Sequence, residues 1–415
     1  MKPTDVSRRA LLGGLGAGGV GFAAGALGTC DGSHQGATDP VAASSRSVEF
    51  HGAHQAGIAT EAQDRLAFAS FDVTTTDRSE LRDLLKEWTA AAAAMAKGEL
   101  VAGGSSRLDA SPADTGEAVG LPPGLLTITA GFGPSLFDHR FGLAGRRPGL
   151  LEKLPALPGE ELDPDRSDGD LCIQACSQDP QVAFHVIRNL ARIGRGVVQM
   201  RWSQLGFGRT SATTTGQSTP RNLMGFKDGT RNVRGDKAPQ MEQHIWVGSG
   251  SDQAWMTGGT YLVSRRIRMH IEGWDRDVLS DQQDVFGRTK HEGAPLTGTT
   301  EADVPDYAAK NPDGTPVIPA DAHIRLAAPE NNHGRSILRR GYSYTDGIDP
   351  ASGEFDAGLF FIAFMRDPQV FVDLQNKLGS QDALTEYIQH VGSGLFACPA
   401  GVRDAADHWG AALFA

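Results

Sequence analysis

Three short segments of this 415-residue chain carry side chains that together could perform chemistry on a small substrate. Residues 225–232 read GFKDGTRN, which is typical of a tight turn that presents the carboxylate of Asp228. Asp-Gly pairs are common in turns because Asp caps its own turn and Gly accepts positive φ, so this segment alone is compatible with a structural role. Further along, DAHIRL at 321–326 supplies a histidine and LRRGYSY at 338–344 supplies two arginines. A carboxylate can carry a proton, a histidine can bind a metal ion and an arginine can stabilise a developing negative charge.

These segments resemble the dye-decolourising (DyP-type) haem peroxidases, whose signature is a Gly-x-x-Asp-Gly turn followed downstream by an axial histidine and an arginine. Residues 225–229 match the signature in full. Three further segments, at 50–58, 131–137 and 287–290, also look like family segments and occur in the family's order. The resemblance therefore covers most of the chain, and it is closest to the exported, iron-transport-associated branch.

The resemblance implies a role for each reactive side chain. His323 is expected to ligate the haem iron, because among 12 histidines it alone has the family's Asp-x-His-x-Arg surroundings. Asp228 is expected to carry the proton of hydrogen peroxide, first as base and then as acid. Arg339 would stabilise the departing oxygen and the ferryl product. Arg340 is the alternative, since neighbours on the predicted strand 338–344 point to opposite faces and only one can face the iron.

Further residues are expected to contact the cofactor. Arg231 and Arg288, with Lys290 as an additional candidate, would meet the haem propionates, and the backbone amides of Gly229 and Thr230 would lie near the macrocycle. Surface salt bridges would explain these basic residues equally well. A carboxylate is also expected at the second ring nitrogen of the axial histidine, although the sequence does not identify it.

The resemblance implies one haem b per chain, hydrogen peroxide as oxidant, and aromatic, dye-like or phenolic reductants. It also implies a homo-oligomer, and an iron-uptake or redox protein is a further candidate partner. Two other function classes stay open. One is an exported haem carrier or iron-releasing protein whose peroxidase activity is incidental. The other is a haem-free binding module, which requires Asp228 to be a plain turn residue.

Composition and the N-terminus predict a folded, exported protein. Hydrophobic residues make up 40% of the chain and charged residues 21%, and the net charge of −11 disfavours nucleic-acid binding. Within residues 1–30, two consecutive arginines are followed by a weakly apolar Gly/Ala/Leu run, as in a Tat-type export signal. Cys30 is a candidate lipid-anchoring site, and residues 31–48 read as a linker. The protein is therefore expected in the periplasm or outside the cell.

Apolar patterns and helix caps predict an α+β fold made of two ferredoxin-like units, at 49–210 and 211–415. The sequence DPQV occurs at 179–182 and again at 367–370, each time after an apolar strand and at the start of a helix. This repetition indicates an internal duplication.

Two ferredoxin-like units that face one another predict a dimeric α/β-barrel. Such a barrel leaves a slot between sheet and helices that suits a flat macrocycle. Residues 288–337 form an insertion in the second unit, and His323 lies in it. A long insertion in a compact repeat is more often functional than decorative.

The cysteines predict neither a disulfide framework nor a metal site. Cys172 and Cys176 fall on one predicted strand, which would separate their Cα atoms by about 13 Å, beyond the reach of a disulfide. We expect both, together with Cys398, to be buried as small hydrophobic residues.

The proposed proton carrier predicts an acidic activity optimum. Carboxylates are weak bases at neutral pH, so Asp228 would serve best in mildly acid solution. We expect steady-state peroxidase turnover, measured across pH, to be highest below neutrality. Turnover that rises steadily above neutral pH would contradict this role.

Overall fold

The computed structural model describes residues 46–101 and 108–415. The predicted export signal, Cys30 and most of the predicted linker lie outside these residues, so export and lipid anchoring stay predictions. Within the described residues, no helix has the length and apolar character needed to cross a membrane.

The first half alternates strands with two long helices. Asp77 accepts a hydrogen bond from the backbone N–H of Ser79 at 2.7 Å and so caps the first helix. Asp179 caps the second, accepting from Gln181 and Val182 at 2.7 and 3.2 Å. The elements are β1 (Arg65–Val73), α1 (Arg78–Ala96), β2 (Thr127–Phe132), β3 (Leu171–Ser177), α2 (Pro180–Ile193) and β4 (Val198–Arg209).

The second half follows a similar plan but has shorter helices and the predicted insertion. Its elements are α3 (Ala238–His244), β5 (Thr260–Met269), α4 (Ile271–Trp274), α5 (Leu279–Phe286), α6 (His323–Ala327), β6 (Leu338–Arg339), β7 (Tyr342–Ile348), β8 (Phe355–Met365), α7 (Gln369–Gln381), β9 (Ile388–Cys398) and α8 (Ala411–Phe414).

The strand predicted at 338–344 is divided at Arg340 and Gly341. β6 pairs with β8 alone, whereas β7 pairs with both β8 and β4. Thr210 donates its backbone N–H to the carbonyl of Gly341 at 2.8 Å. A Cβ at Gly341 would lie only 2.8 Å from the hydroxyl of Thr210, so glycine allows this close approach where the strand changes partners.

The described residues form a nine-stranded antiparallel sheet in the order β5-β9-β2-β3-β1-β4-β7-β8-β6. An additional pairing of β5 with β8 closes eight of these strands into a barrel. Each half has the same internal order, β4-β1-β3-β2 and β9-β5-β8-β7, which is the ferredoxin-like arrangement. The predicted fold class is confirmed, whereas a duplication as the origin of the two halves stays a prediction.

Two apolar layers stabilise the barrel. Its interior is filled by large side chains from both halves, including Phe68, Trp202 and Phe360. Outside, α1 and α2 pack their apolar faces on β1 to β3, with Trp88 buried at the centre. The interior also holds the three predicted buried cysteines, all of them free: Cys172, Cys176 and Cys398.

The outer face of the second half is covered differently. Odd-numbered residues of β5, such as Ile267 and Met269, point away from the barrel interior because side chains alternate along a strand. Helix α7 and parts of the 288–337 insertion lie over this face. The gap between them forms a cavity.

Candidate functional site

A cavity of about 270 Å³ lies between the outer face of β5, β8 and β9 on one side and α6, α7 and the insertion on the other. Apolar side chains from the sheet form much of its wall. Seven of the residues predicted for proton or cofactor chemistry line this cavity: Asp228, Gly229, Thr230, Arg231, Arg288, His323 and Arg339. Lys290 is not among the lining residues and instead donates to the side chain of Gln282 at 2.7 Å.

The turn at 225–232 directs the carboxylate of Asp228 into the cavity. The backbone N–H of Asp228 donates to the carbonyl of Pro220 at 2.9 Å, which fixes the turn against the preceding segment. Gly229 has φ +85°, and a Cβ there would lie 3.1 Å from the Cα of Ser211. Glycine therefore suits this position for both conformational and steric reasons. Asn222 donates to the Asp228 carboxylate at 3.4 Å.

Arg339 lies beside Asp228 on the cavity wall. Its guanidinium donates to a carboxylate oxygen of Asp228 at 2.7 Å, and both side chains are partly buried. Arg340 points the opposite way, donating to the carbonyl of Thr60 at 2.6 Å and to the side chain of Gln63 at 2.6 Å. The alternation expected along the strand thus separates the two arginines, and Arg339 is the one that lies at the cavity.

His323 stands at the start of α6, on the cavity wall. Its Nδ1 lies 2.6 Å from a carboxylate oxygen of Asp382, which is almost completely buried. The other carboxylate oxygen of Asp382 accepts the backbone N–H of Leu384 at 2.9 Å, so the acid is held from both sides. Since Nδ1 is engaged, Nε2 is the ring atom that can bind a metal ion.

The carboxylate of Asp382 makes protonation of His323 more favourable. Burial alone lowers the pKa of His323, but the charge and hydrogen bond of Asp382 outweigh burial and raise the pKa above its ordinary value. Asp382 is the carboxylate that sequence reasoning expected without identifying. It lies 59 residues beyond His323 and belongs to no recognisable motif.

Basic residues cluster at one end of the cavity. Arg231 forms an ion pair with Glu330 at 2.5 Å, near the surface. Arg288 is buried, and its guanidinium donates to the carbonyls of Gly293 and Glu301 at 2.6 and 3.2 Å. Within 46–101 and 108–415, Arg288 has no ion-pair partner, and burial lowers its pKa. A buried cation without a carboxylate partner is suited to an anionic group of a ligand.

A second polar cluster, absent from the sequence predictions, lines the cavity beside α7. Arg265 is fully buried and forms an ion pair with Glu160. Its Nε lies 3.3 Å from Nδ1 of His390, and His390 Nε2 lies 3.1 Å from the side-chain amide of Gln375. Burial and the adjacent charge of Arg265 lower the pKa of His390 to about 3. His390 is therefore neutral at physiological pH.

Comparison with known proteins matches both halves of the chain. Residues 55–208 match the family model described as "Dyp-type peroxidase, N-terminal", and residues 219–403 match "Dyp-type peroxidase, C-terminal". A protein named "Deferrochelatase" from Escherichia coli strain K12 is 39% identical over 370 residues, covering 88% of this chain and 86% of that protein. A protein of the same name from Yersinia pestis is 39% identical over 362 residues, covering 86% and 82%.

Solved structures show the same relationship. Ferric DtpA from Streptomyces lividans superposes with a TM-score of 0.83 at 39% identity, covering 91% of this chain and all of that one. A DyP-type peroxidase from Streptomyces coelicolor superposes with a TM-score of 0.82 at 39% identity, covering 90% and 98%.

The lowered pKa of His390 predicts an acid-dependent loss of stability. The unfolded chain, with a histidine pKa of about 6.5, binds a proton that the folded protein excludes until pH approaches 3. The contribution of His390 to the free energy of unfolding is thus fully present above about pH 6.5, and it decreases as the pH falls. At pH 5 we expect a loss of about 2 kcal/mol relative to neutral pH.

Chemical denaturation of the wild-type and His390→Gln proteins at pH 7 and pH 5 measures this loss. The variant should lose less stability between the two pH values, whereas His291→Gln, at an exposed position, should behave like wild type. Equal losses in wild type and His390→Gln would show that His390 does not exclude a proton in the folded state.

Proposed function

The chain belongs to the Dyp-type peroxidase family, and from that membership we propose that Asp228, Arg339 and His323 form the reactive centre of a haem peroxidase. One observation carries the proposal. A carboxylate–arginine pair and a carboxylate–histidine pair, contributed by distant parts of the chain, line a single cavity.

The cavity residues fit the chemical features of haem. Apolar side chains such as Ile267, Leu359 and Phe361 would contact a flat macrocycle. Arg288, which is buried without an ion-pair partner in the described chain, suits a propionate, and Arg231 stands at the same end. The backbone of Gly229 and Thr230 lies on the cavity wall beside them. The imidazole of His323 supplies a ligand for the iron.

Asp382 prepares His323 for this role. Its carboxylate holds Nδ1, which keeps the ring in one orientation and leaves Nε2 as the ring atom for the iron. The acid also makes the imidazole more electron-rich, so that it donates more strongly to a metal ion. We propose that this pair anchors the cofactor and supports its oxidised forms.

Asp228 and Arg339 would act on hydrogen peroxide. Haem, when bound, supplies the redox chemistry of its iron. The carboxylate of Asp228 would take the proton from one peroxide oxygen and return it to the other, which leaves as water. The guanidinium of Arg339 would donate hydrogen bonds to the oxygen on which negative charge develops. The 2.7 Å contact between the two side chains supports a role for both groups on the same small substrate.

We further propose one haem b per chain, aromatic, dye-like or phenolic electron donors, a homo-oligomeric assembly and export by the Tat route. The cavity supports the single cofactor, and residues 1–30 support export. Pyridine haemochrome analysis tests the haem content, light scattering after size exclusion tests the assembly, and cell fractionation tests the export. A haem-to-chain ratio far from one would contradict the first.

The relatives named "Deferrochelatase" favour a second candidate function, in which the protein removes iron from haem. Such a protein would release iron and leave an intact, fluorescent porphyrin. Incubation with haem under reducing conditions, followed by porphyrin fluorescence, distinguishes this activity from repeated turnover of peroxide with a reducing dye.

Replacing Asp228 with Ala should slow the reaction with hydrogen peroxide while haem stays bound. Loss of a positioned acid–base group should lower the second-order rate constant about a hundredfold or more. Stopped-flow absorbance after mixing with peroxide measures it. Asp236→Ala, which removes an exposed carboxylate eight residues further along the chain, should retain the wild-type rate. An unchanged rate in Asp228→Ala would remove this residue from the mechanism.

Replacing His323 with Ala should weaken the retention of haem. Transfer of haem to an excess of apomyoglobin should become at least about tenfold faster, and Asp382→Asn should give a smaller increase because it alters only the support of the ligand. His291→Ala serves as the control, since this side chain is fully exposed. Wild-type retention in His323→Ala would show that another residue holds the iron.

A further inference from the structure

Asn232 makes an unusual set of contacts at the end of the turn that carries Asp228. Its side chain is 7% exposed and does not line the cavity. The side-chain oxygen accepts the backbone N–H of Arg339 at 2.8 Å, and the side-chain nitrogen donates to the backbone carbonyl of Arg339 at 2.8 Å. The same nitrogen donates to the carbonyl of Ala212 at 3.0 Å. Both ends of the amide are therefore assigned by their partners.

The side-chain amide of Asn232 pairs with the backbone of Arg339 as a neighbouring strand would. A primary amide offers the same donor and acceptor as a peptide group, so it can pair with one residue of a sheet edge. On its other side β6 pairs with β8, where Arg340 donates its backbone N–H to Ile362 at 2.8 Å. The backbone groups of Arg339 point away from β8, and Asn232 satisfies both of them.

This contact joins the two segments that supply the distal groups. The backbone N–H of Asn232 donates to the carbonyl of Gly229 at 3.0 Å, so the amide is tied to the residue that follows Asp228. Arg339 lies 107 residues further along the chain. β6 contains only two residues, and it has little other pairing to fix its position relative to the turn.

We infer that Asn232 is a positioning residue, which holds the backbone of Arg339 in register so that the guanidinium and the Asp228 carboxylate meet the same peroxide molecule. The inference rests on the proposed function, because it concerns the geometry of the pair that acts on peroxide. Asn232 is not among the residues that line the cavity, so it would act through Arg339.

The test compares Asn232→Ala with Asn189→Ala in the haem-loaded protein. Asn189 is also a buried amide, donating to the hydroxyl of Thr115 at 2.8 Å, but it lies away from the cavity. It therefore measures the general effect of losing a buried amide. Haem content and melting temperature are recorded for both variants.

Two readouts separate positioning from general destabilisation. In Asn232→Ala we expect the rate constant with hydrogen peroxide to fall about tenfold or more, whereas Asn189→Ala should stay within about twofold of wild type. The equilibrium affinity of the ferric protein for fluoride should fall in parallel. Fluoride carries no proton for Asp228 to accept, so its affinity reports on the hydrogen bonds from Arg339.

Asn232→Asp supplies an independent signature in the pH profile. At neutral pH its carboxylate has no donor for the carbonyl of Arg339, and the peroxide reaction should be slow. At low pH the protonated acid has one donor and one acceptor in the same place, so the rate relative to wild type should recover. The rate of Asn232→Ala relative to wild type should stay constant across the same pH range.

The outcomes are distinct. Equal losses in Asn232→Ala and Asn189→Ala, or fluoride affinity within about twofold of wild type, would overturn the inference. If Asn232→Ala does not fold, the pH series of Asn232→Asp decides. If the haem-loaded wild type does not react with peroxide, the proposed function fails, and fluoride affinity still decides the role of Asn232.

Discussion

The 2.7 Å contact between Asp228 and Arg339 is the interaction on which the candidate site depends. Its two partners lie 111 residues apart in the chain, and neither belongs to a long element. The carboxylate is presented by a turn and the guanidinium by a two-residue strand. The pair therefore forms only because other parts of the fold hold the turn and the strand close to each other. The closed barrel provides this placement, since β8 pairs with β6 while β5 joins β8 to β9.

The two halves of the chain contribute differently to the site. All described residues that line the cavity come from positions 222 to 390. The first half nevertheless supports the site, because the carbonyl of Thr60 and the side chain of Gln63 accept hydrogen bonds from Arg340. Arg340 is thus anchored on the side of the strand opposite to Arg339. The matched family models likewise span both halves, at 55–208 and 219–403.

Most charged side chains at the cavity are paired with a group of opposite charge or a hydrogen-bonding partner. Asp382 faces His323, Asp228 faces Arg339, and Glu160 faces Arg265. Pairing limits the cost of placing these charges away from water. Arg288 is different, since within the described chain only backbone carbonyls accept its hydrogen bonds. This asymmetry gives the cavity one end that favours an anionic ligand group beside walls that favour an apolar ring.

The sequence alone determined the signature turn, the candidate histidine, the order of strands and helices, and the ferredoxin-like plan of each half. These features are local, because apolar alternation, caps such as Asp179 and glycine-bearing turns act over a few residues. Tertiary structure decided which arginine faces the cavity, and it brought Asp382, Asn232 and the Arg265–His390 cluster to the site. No local pattern identifies the partners of these residues, since those partners lie far away in the chain and depend on how the barrel closes and how its registers align.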